Sequence, residues 1–273
     1  MKFLQSAKEF FIKLGTAIVS FLHKLGQAIG KFFADAKKRT VFIILSVTLL
    51  TTLIFSIYVS DYYEADIQAI NEITKDSETD IYDLDEGVTV FKPYDAKVGV
   101  IFYPGGKVDS RAYSPLMDAL ASRGVLCVLI EMPFNLAVLD VNAADGIKDY
   151  FPQIESWYMA GHSLGGSMAA SYLASHKSDF EGVILLGAYS TSDLTDKRVM
   201  SIYGSEDGVM NREKYDKYKT NLPSDFTEEI IAGGNHAGFG MYGIQDGDGI
   251  ATITTVEQIE KTSDAILTFI NKE

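Results

Sequence analysis

Nineteen consecutive residues without a charge, Val41 to Val59, constrain this chain more than any other feature. As a helix the run would measure about 28 Å at 1.5 Å per residue, close to the roughly 30 Å of a bilayer's hydrocarbon core. A helix apolar on every side has no face to offer water, so a soluble body would have to bury it completely. The run therefore reads as a transmembrane helix over 41–59. Forty residues precede it, more than the charged leader of a signal peptide, and no small-x-small cleavage site follows, so the expectation is an uncleaved signal-anchor.

Lys37, Lys38 and Arg39 abut the start of the run, and Asp61, Glu64 and Asp66 follow its end. The positive-inside rule then places the amino-terminal side in the cytosol and residues 61–273 outside, at a cell membrane crossed once. Residues 1–60 hold eight of the 24 Lys and Arg and two of the 37 Asp and Glu, so residues 61–273 carry sixteen and thirty-five, a net charge of −19. A body so acidic does not neutralise phosphates, which argues against nucleic acid as a partner and disfavours polyanionic substrates. The single cysteine, Cys127, lies inside the apolar run Val125–Ile130, where no intramolecular disulfide can form and the thiol is expected to pack as a small apolar group. An exported domain without disulfides points to a bacterial envelope, its stability resting on a core that about 200 residues suffice to build.

Ahead of the span, residues 10–20 and 21–31 repeat one eleven-residue pattern, and Phe32-Phe33 begins a third copy. Eleven residues make close to three helical turns, so Phe10, Phe11, Leu14, Ile18, Phe21, Leu22, Leu25, Ile29, Phe32 and Phe33 share one face and the lysines lie largely off it. Residues 1–40 are expected to form a basic amphipathic helix on the inner leaflet.

Beyond the span, residues 60–80 are charged and helix-compatible, a stalk or a first helix, and the main domain is expected over 81–273. Apolar runs at 88–92, 98–103, 125–130, 156–160, 182–186, 198–203 and 226–231 read as strands, several buried on both faces. Helical patterns fall between them at 113–123, 141–151, 165–176, 212–220 and 256–271. Such alternation implies an α/β fold, a mostly parallel central sheet with helices on both faces and function at the carboxyl ends of the strands.

One of those ends carries Gly161-His162-Ser163-Leu164-Gly165. A G-x-S-x-G between a strand and a helix presents its serine on a sharp turn, with the helix amino terminus aimed at any developing anion. Ser163 is the candidate nucleophile. A serine hydroxyl needs a base near neutral pH, and the chain has four histidines. His23 is across the membrane, and His176 is thirteen residues along the helix, about 20 Å away at 1.5 Å per residue. His162 adjoins the serine with its side chain projecting elsewhere, which leaves His236, in the glycine-rich Ala232–Gly240 loop after the last strand, as the candidate base. Asp207, in Gly204-Ser205-Glu206-Asp207-Gly208 after the strand ending at Tyr203, is the candidate orienting acid, with Glu206 as its alternative. For the oxyanion, the N–H of Leu164 supplies one candidate donor and the turn Tyr103-Pro104-Gly105-Gly106-Lys107 another, with Gly106 preferred and Lys107 its neighbour. Asp246-Gly247-Asp248-Gly249 lacks the further ligands of an EF-hand loop and reads as a solvated acidic loop. No metal or other cofactor is expected.

The order Ser163, Asp207, His236 on an alternating scaffold resembles the α/β-hydrolase family over about residues 81–270. The stretches 103–109, 161–166, 204–208 and 233–237 are similar to its compact dienelactone-hydrolase-like branch. That resemblance implies an eight-stranded sheet with one antiparallel strand, acyl-transfer chemistry and no cofactor. Serine here replaces the cysteine of dienelactone hydrolases. Gly187 to Lys197, where larger relatives insert a helical lid, is too short for a sizeable cap, and an open site suits small or surface-displayed esters. The expected activity is a membrane-anchored serine esterase acting through an acyl-enzyme on a small-molecule or cell-envelope ester. Transfer to an envelope acceptor, amide cleavage, and a non-catalytic binding module of the same fold are the alternatives.

Overall fold

The computed structural model describes residues 2–272, with side chains from residue 13 onward. Two compact units emerge, one through Tyr58 and one from Val59. The first is two helices, α1 (Lys2–Ala34) and α2 (Ala36–Ser60). Leu14, Ile18, Phe21, Leu22, Leu25, Ile29, Phe32 and Phe33 of the repeat are exposed on α1, whereas the side chains of Phe10 and Phe11 lie outside the described residues. Among the described residues α2 is the one helix long and apolar enough to cross a membrane, and none of it is buried.

The second unit contains, in chain order, α3 (Ile67–Thr74), β1 (Asp80–Asp85), β2 (Val88–Lys92), β3 (Val98–Tyr103), α4 (Ser114–Ala121), β4 (Val125–Ile130), β5 (Ser156–His162), α5 (Leu164–Ser175), β6 (Gly182–Leu186), β7 (Arg198–Gly204), α6 (Arg212–Tyr218), β8 (Thr227–Ile231) and α7 (Thr255–Ile270). The strands form one eight-stranded sheet in the order β1-β2-β4-β3-β5-β6-β7-β8. Only β2 runs against the others, pairing antiparallel with both β1 and β4. Every neighbouring pair from β4 across to β8 is parallel.

Continuous apolar strands arise because each face of the sheet meets its own core. Val100 and Phe102 of β3 and Tyr158 and Ala160 of β5 pack with Leu116 and Leu120 of α4 and Ile259, Ile266 and Phe269 of α7. Ile101, Tyr103, Trp157 and Met159 point the other way, to Ala169, Tyr172 and Leu173 of α5. Alternate residues thus serve opposite cores, which the period of two in a strand dictates. Cys127 is fully buried in the first of these cores, where burial pushes its thiol well above the ordinary range.

Two elements differ from the sequence pattern. The expected helix over 141–151 is a set of short turns, with a single 3₁₀ turn at Ile147–Tyr150. Gly146 adopts a left-handed φ of 75°, and the Tyr103 hydroxyl takes the Ala144 N–H (3.0 Å) and donates to the Val141 carbonyl (2.8 Å), so these backbone groups are spent outside a helix. Strand β1, absent from the sequence reading, is the acidic Asp-Ile-Tyr-Asp-Leu-Asp at the sheet's edge, whose polar composition hides it from an apolar-run search while guarding an open edge. The segment after α2 is built into the domain: Asp66 caps α3 through Ala69 N–H at 3.0 Å, and Ile70 is buried.

Candidate active site

Ser163 stands alone between the end of β5 and the start of α5, with φ 52° and ψ −120°. For a residue with a side chain this is a strained conformation costing about 1–3 kcal/mol, held only where the surroundings leave no alternative. Its N–H donates to the Leu186 carbonyl (2.9 Å) and its carbonyl accepts from Ser167 N–H (3.1 Å), fixing both sides of the turn. The turn also requires that backbones touch. A Cβ on Gly165 would lie 2.1 Å from the Pro104 carbonyl oxygen, which is why the motif's last glycine admits no side chain.

Asp207 and His236 are brought together. The carboxylate Oδ2 lies 2.9 Å from His236 Nδ1, and both side chains are almost wholly buried. Oδ1 accepts the N–H groups of Val209 (3.0 Å) and Met210 (2.8 Å), so the carboxylate cannot rotate freely. Burial pushes the Asp207 pKa up, but hydrogen bonds from His236, Met210 and Val209 outweigh it and hold the carboxyl below its ordinary range. Glu206, the alternative acid, is exposed and accepts from the hydroxyl of Ser205 (2.9 Å) instead. With Nδ1 committed to Asp207, the second nitrogen of His236, Nε2, is buried and has no hydrogen-bond partner among the described residues, as is also true of His162 Nε2.

Leu186 and Gly187, at the carboxyl end of β6, join the two halves. Leu186 receives the serine's N–H, and a Cβ on Gly187 (φ 52°) would lie 2.8 Å from His236 Nδ1 and 3.2 Å from Asp207 Oδ2. A glycine here lets Asp207 and His236 pack over the strand end. No motif marks it in the sequence.

On the other side of the serine, β3 runs into Pro104, Gly105 and Gly106. Gly106 sits against Leu164, where a Cβ would meet Leu164 Cδ2 at 2.9 Å. Lys107, the neighbouring candidate donor, spends its N–H on the Asn135 carbonyl at 2.7 Å. Leu164 opens α5, where a first-turn N–H has no partner within the helix. Gly105 N–H donates to the Tyr113 hydroxyl (3.1 Å), which in turn lies 2.8 Å from His162 Nδ1. That chain of bonds ties the Gly106 loop to the residue preceding Ser163.

His162 is thus held by Tyr113 and packs beside His236. Its ring centre lies 4.4 Å from that of His236, the planes tilted by 47°, and burial, reinforced by His236, drives its pKa well below the usual 6.5. A neutral His162 places no opposing charge beside an imidazolium on His236. His23 lies on α1 and His176 caps the far end of α5.

The acidic loop conceals a residue that sequence reasoning missed. Asp248 is not simply solvated: Oδ1 accepts N–H groups from Gly208 (3.1 Å), His236 (3.2 Å) and Gly249 (2.8 Å), and Oδ2 accepts that of Ala237 (2.8 Å). One carboxylate therefore binds the loop carrying Asp207 to the loop carrying His236. Buried Gln258 of α7 fixes the same histidine loop from below, taking Asn235 N–H at 3.0 Å and donating to the Asn235 carbonyl at 2.7 Å. Asp248 was invisible because an acid in a Gly-Asp-Gly turn looks like any surface loop until its partners, some 11 to 40 residues away, are placed.

The model for the alpha/beta hydrolase family matches residues 99–260, more than half of the chain. The chain belongs to the alpha/beta hydrolase family. Solved structures fold similarly: Est1E from Butyrivibrio proteoclasticus has a TM-score of 0.51 at 15% identity, covering 71% of this chain and 99% of its own. A mutant epoxide hydrolase from Vigna radiata gives 0.53 at 11%, covering 73% and 100%. A dienelactone hydrolase from Anabaena variabilis gives 0.50 at 12%, covering 70% and 98%. Comparison with curated protein sequences finds no match. At such identities the likeness is one of fold, so the activity of this hydrolase must be argued from its own side chains.

Two outcomes test the site. Asp248→Ala should lower kcat about 10- to 100-fold, or about 1.4–2.8 kcal/mol, with KM little changed, and Asp248→Asn should recover part of the loss by keeping one acceptor oxygen. An alanine variant within twofold of wild type would show that the carboxylate does not position the pair. The second outcome concerns pH. A histidine kept neutral in the fold but free to protonate when unfolded stabilises fully above about pH 6.5, and the contribution fades as pH falls toward the depressed folded value. Relative to His162→Gln, the wild type should therefore lose stability as pH falls from 7 to 5, measured by denaturant unfolding at each pH.

Proposed function

We propose that this hydrolase cleaves carboxylic esters through Ser163, His236 and Asp207, from a domain anchored by α2 outside the membrane. The observation that carries the reading is the strained serine turn at φ 52° beside a buried Asp207–His236 pair of 2.9 Å whose remaining imidazole nitrogen is unengaged. Strain at a serine is costly and catalysis gives it a purpose, and His236, unlike His162, pairs its unengaged Nε2 with an Nδ1 held by a carboxylate.

In the proposed reaction, the Ser163 hydroxyl proton passes to His236 Nε2 as Oγ bonds to the ester carbonyl carbon. The carbonyl electron pair moves onto oxygen, where the N–H groups of Leu164 and Gly106 receive the anion. Asp207, held ionised by its hydrogen bonds, stabilises the imidazolium without accepting its proton. The anion collapses, the C–O bond to the alcohol breaks, and the leaving alkoxide takes the proton from His236. Water then attacks the acyl-serine by the same route in reverse, returning free acid and serine. The basic cluster Lys37, Lys38 and Arg39 in the first turn of α2, just ahead of its apolar run, supports an orientation with this chemistry outside the cell.

A short-chain p-nitrophenyl ester tests the reading with the full-length protein in detergent. Turnover with a pre-steady-state burst of one nitrophenol per chain is expected, and Ser163→Ala should lower kcat by about 10³-fold or more. Equal turnover by the alanine variant would refute the proposed nucleophile.

A further inference from the structure

The residues that follow α2 are hydrogen-bonded to the two loops of the site, not to a remote face of the domain. Tyr63 forms a parallel bridge with Val108: its N–H donates to the Lys107 carbonyl (2.8 Å) and its carbonyl accepts Asp109 N–H (2.9 Å). Asp61 Oδ2 pairs with Lys107 Nζ at 2.9 Å. Lys107 directly follows Gly106. On the histidine side, Asp66 N–H donates to the Met241 carbonyl (2.8 Å), and the Tyr63 hydroxyl accepts Asp246 N–H (3.1 Å). Asp246 stands two residues from Asp248, the carboxylate that holds His236.

Covalent reach turns this stitching into a bound on distance. If Val59 ends the apolar span, Tyr63 is four residues on and at most about 14 Å away even when fully extended. The oxyanion loop, bonded to Tyr63, is then within about 20 Å of the hydrocarbon edge whatever angle the domain adopts. The same loops carry exposed apolar side chains. Ile244 and Ile250, in the segment held by Asp246 and Asp248, are 92% and 89% exposed. Phe134, Val138 and Leu139, in the segment whose Asn135 carbonyl takes Lys107 N–H, are also exposed. Isoleucines at full exposure on loops kept by covalent reach within a short distance of a membrane span have a favourable place to go, the interfacial layer of the bilayer itself.

We infer that the mouth of the site docks on the outer surface of the bilayer and takes its ester from there: an amphiphile anchored in the leaflet, with its ester carbonyl at headgroup depth. This rests on the proposed hydrolase activity and membrane anchor. It also explains how a site with no lid serves an apolar substrate, since the acyl chain stays in the membrane while the carbonyl meets Ser163.

The test uses the full-length chain in phosphatidylcholine vesicles, after co-flotation verifies insertion. Buried Cys127 leaves introduced thiols as the labelling sites, so Ile250→Cys and Tyr94→Cys are each tagged with an environment-sensitive fluorophore. Tyr94, fully exposed in the turn between β2 and β3, lies at the opposite end of the sheet from the site. Nitroxide lipids should quench the label at 250 at least twofold and leave that at 94 unchanged. In the same vesicles, Ile244→Ser with Ile250→Ser should lower the turnover ratio of a bilayer-embedded acyl ester to soluble p-nitrophenyl acetate at least fivefold. No quenching at 250, equal quenching at both positions, or an unchanged ratio would overturn the inference. Quenching needs no catalysis, so an absence of turnover toward both esters in the wild type would be a separate result, one that overturns the hydrolase reading and the substrate inferred from it.

Discussion

A serine held at φ 52° is the constraint around which the domain is organised. Its strain, about 1–3 kcal/mol, must be offset by everything that packs against the turn. Strand β5 fixes it from one side and α5 from the other, with Leu186 of β6 holding its N–H and Gly165 admitting the backbone of Pro104. Because these partners sit at the carboxyl ends of β3, β5 and β6, the parallel sheet is what makes the turn affordable. Asp207 and His236 arrive from the ends of β7 and β8 by the same logic.

Polar groups around the turn then form a closed set. Tyr113 links Gly105 to His162, Leu186 and Gly187 lie beneath Ser163 and the Asp207–His236 pair, and Asp248 ties the two outer loops together. Apart from the Tyr113–His162 bond between side chains, each satisfies a backbone N–H that the loop geometry would otherwise leave without a partner. Within this set the Nε2 atoms of His236 and His162 are buried and lack a partner among the described residues, and only that of His236 belongs to an imidazole whose other nitrogen meets a carboxylate.

Much of this was legible in the sequence, for physical reasons that can be named. Strands buried on both faces write themselves as unbroken apolar runs, so β2 to β7 are readable almost to the residue. Ser163, Asp207 and His236 follow from motif context and from the shortage of histidines. What escaped depends on long-range contact: β1 is acidic because it lies at an edge, 141–151 looks helical until Tyr103 claims its backbone, and Gly187 matters only once Asp207 and His236 lie over it. Asp248 is the instructive case. Its carboxylate reads as solvated by composition, and only the folded loops reveal four backbone donors around it.

The claim that Ser163 is an activated nucleophile is tested most directly by treating the folded full-length protein with a fluorophosphonate and locating the adduct by peptide mass mapping. One adduct per chain on the peptide containing Ser163 is the predicted result. An unmodified, demonstrably folded protein, or an adduct on another serine, would contradict it.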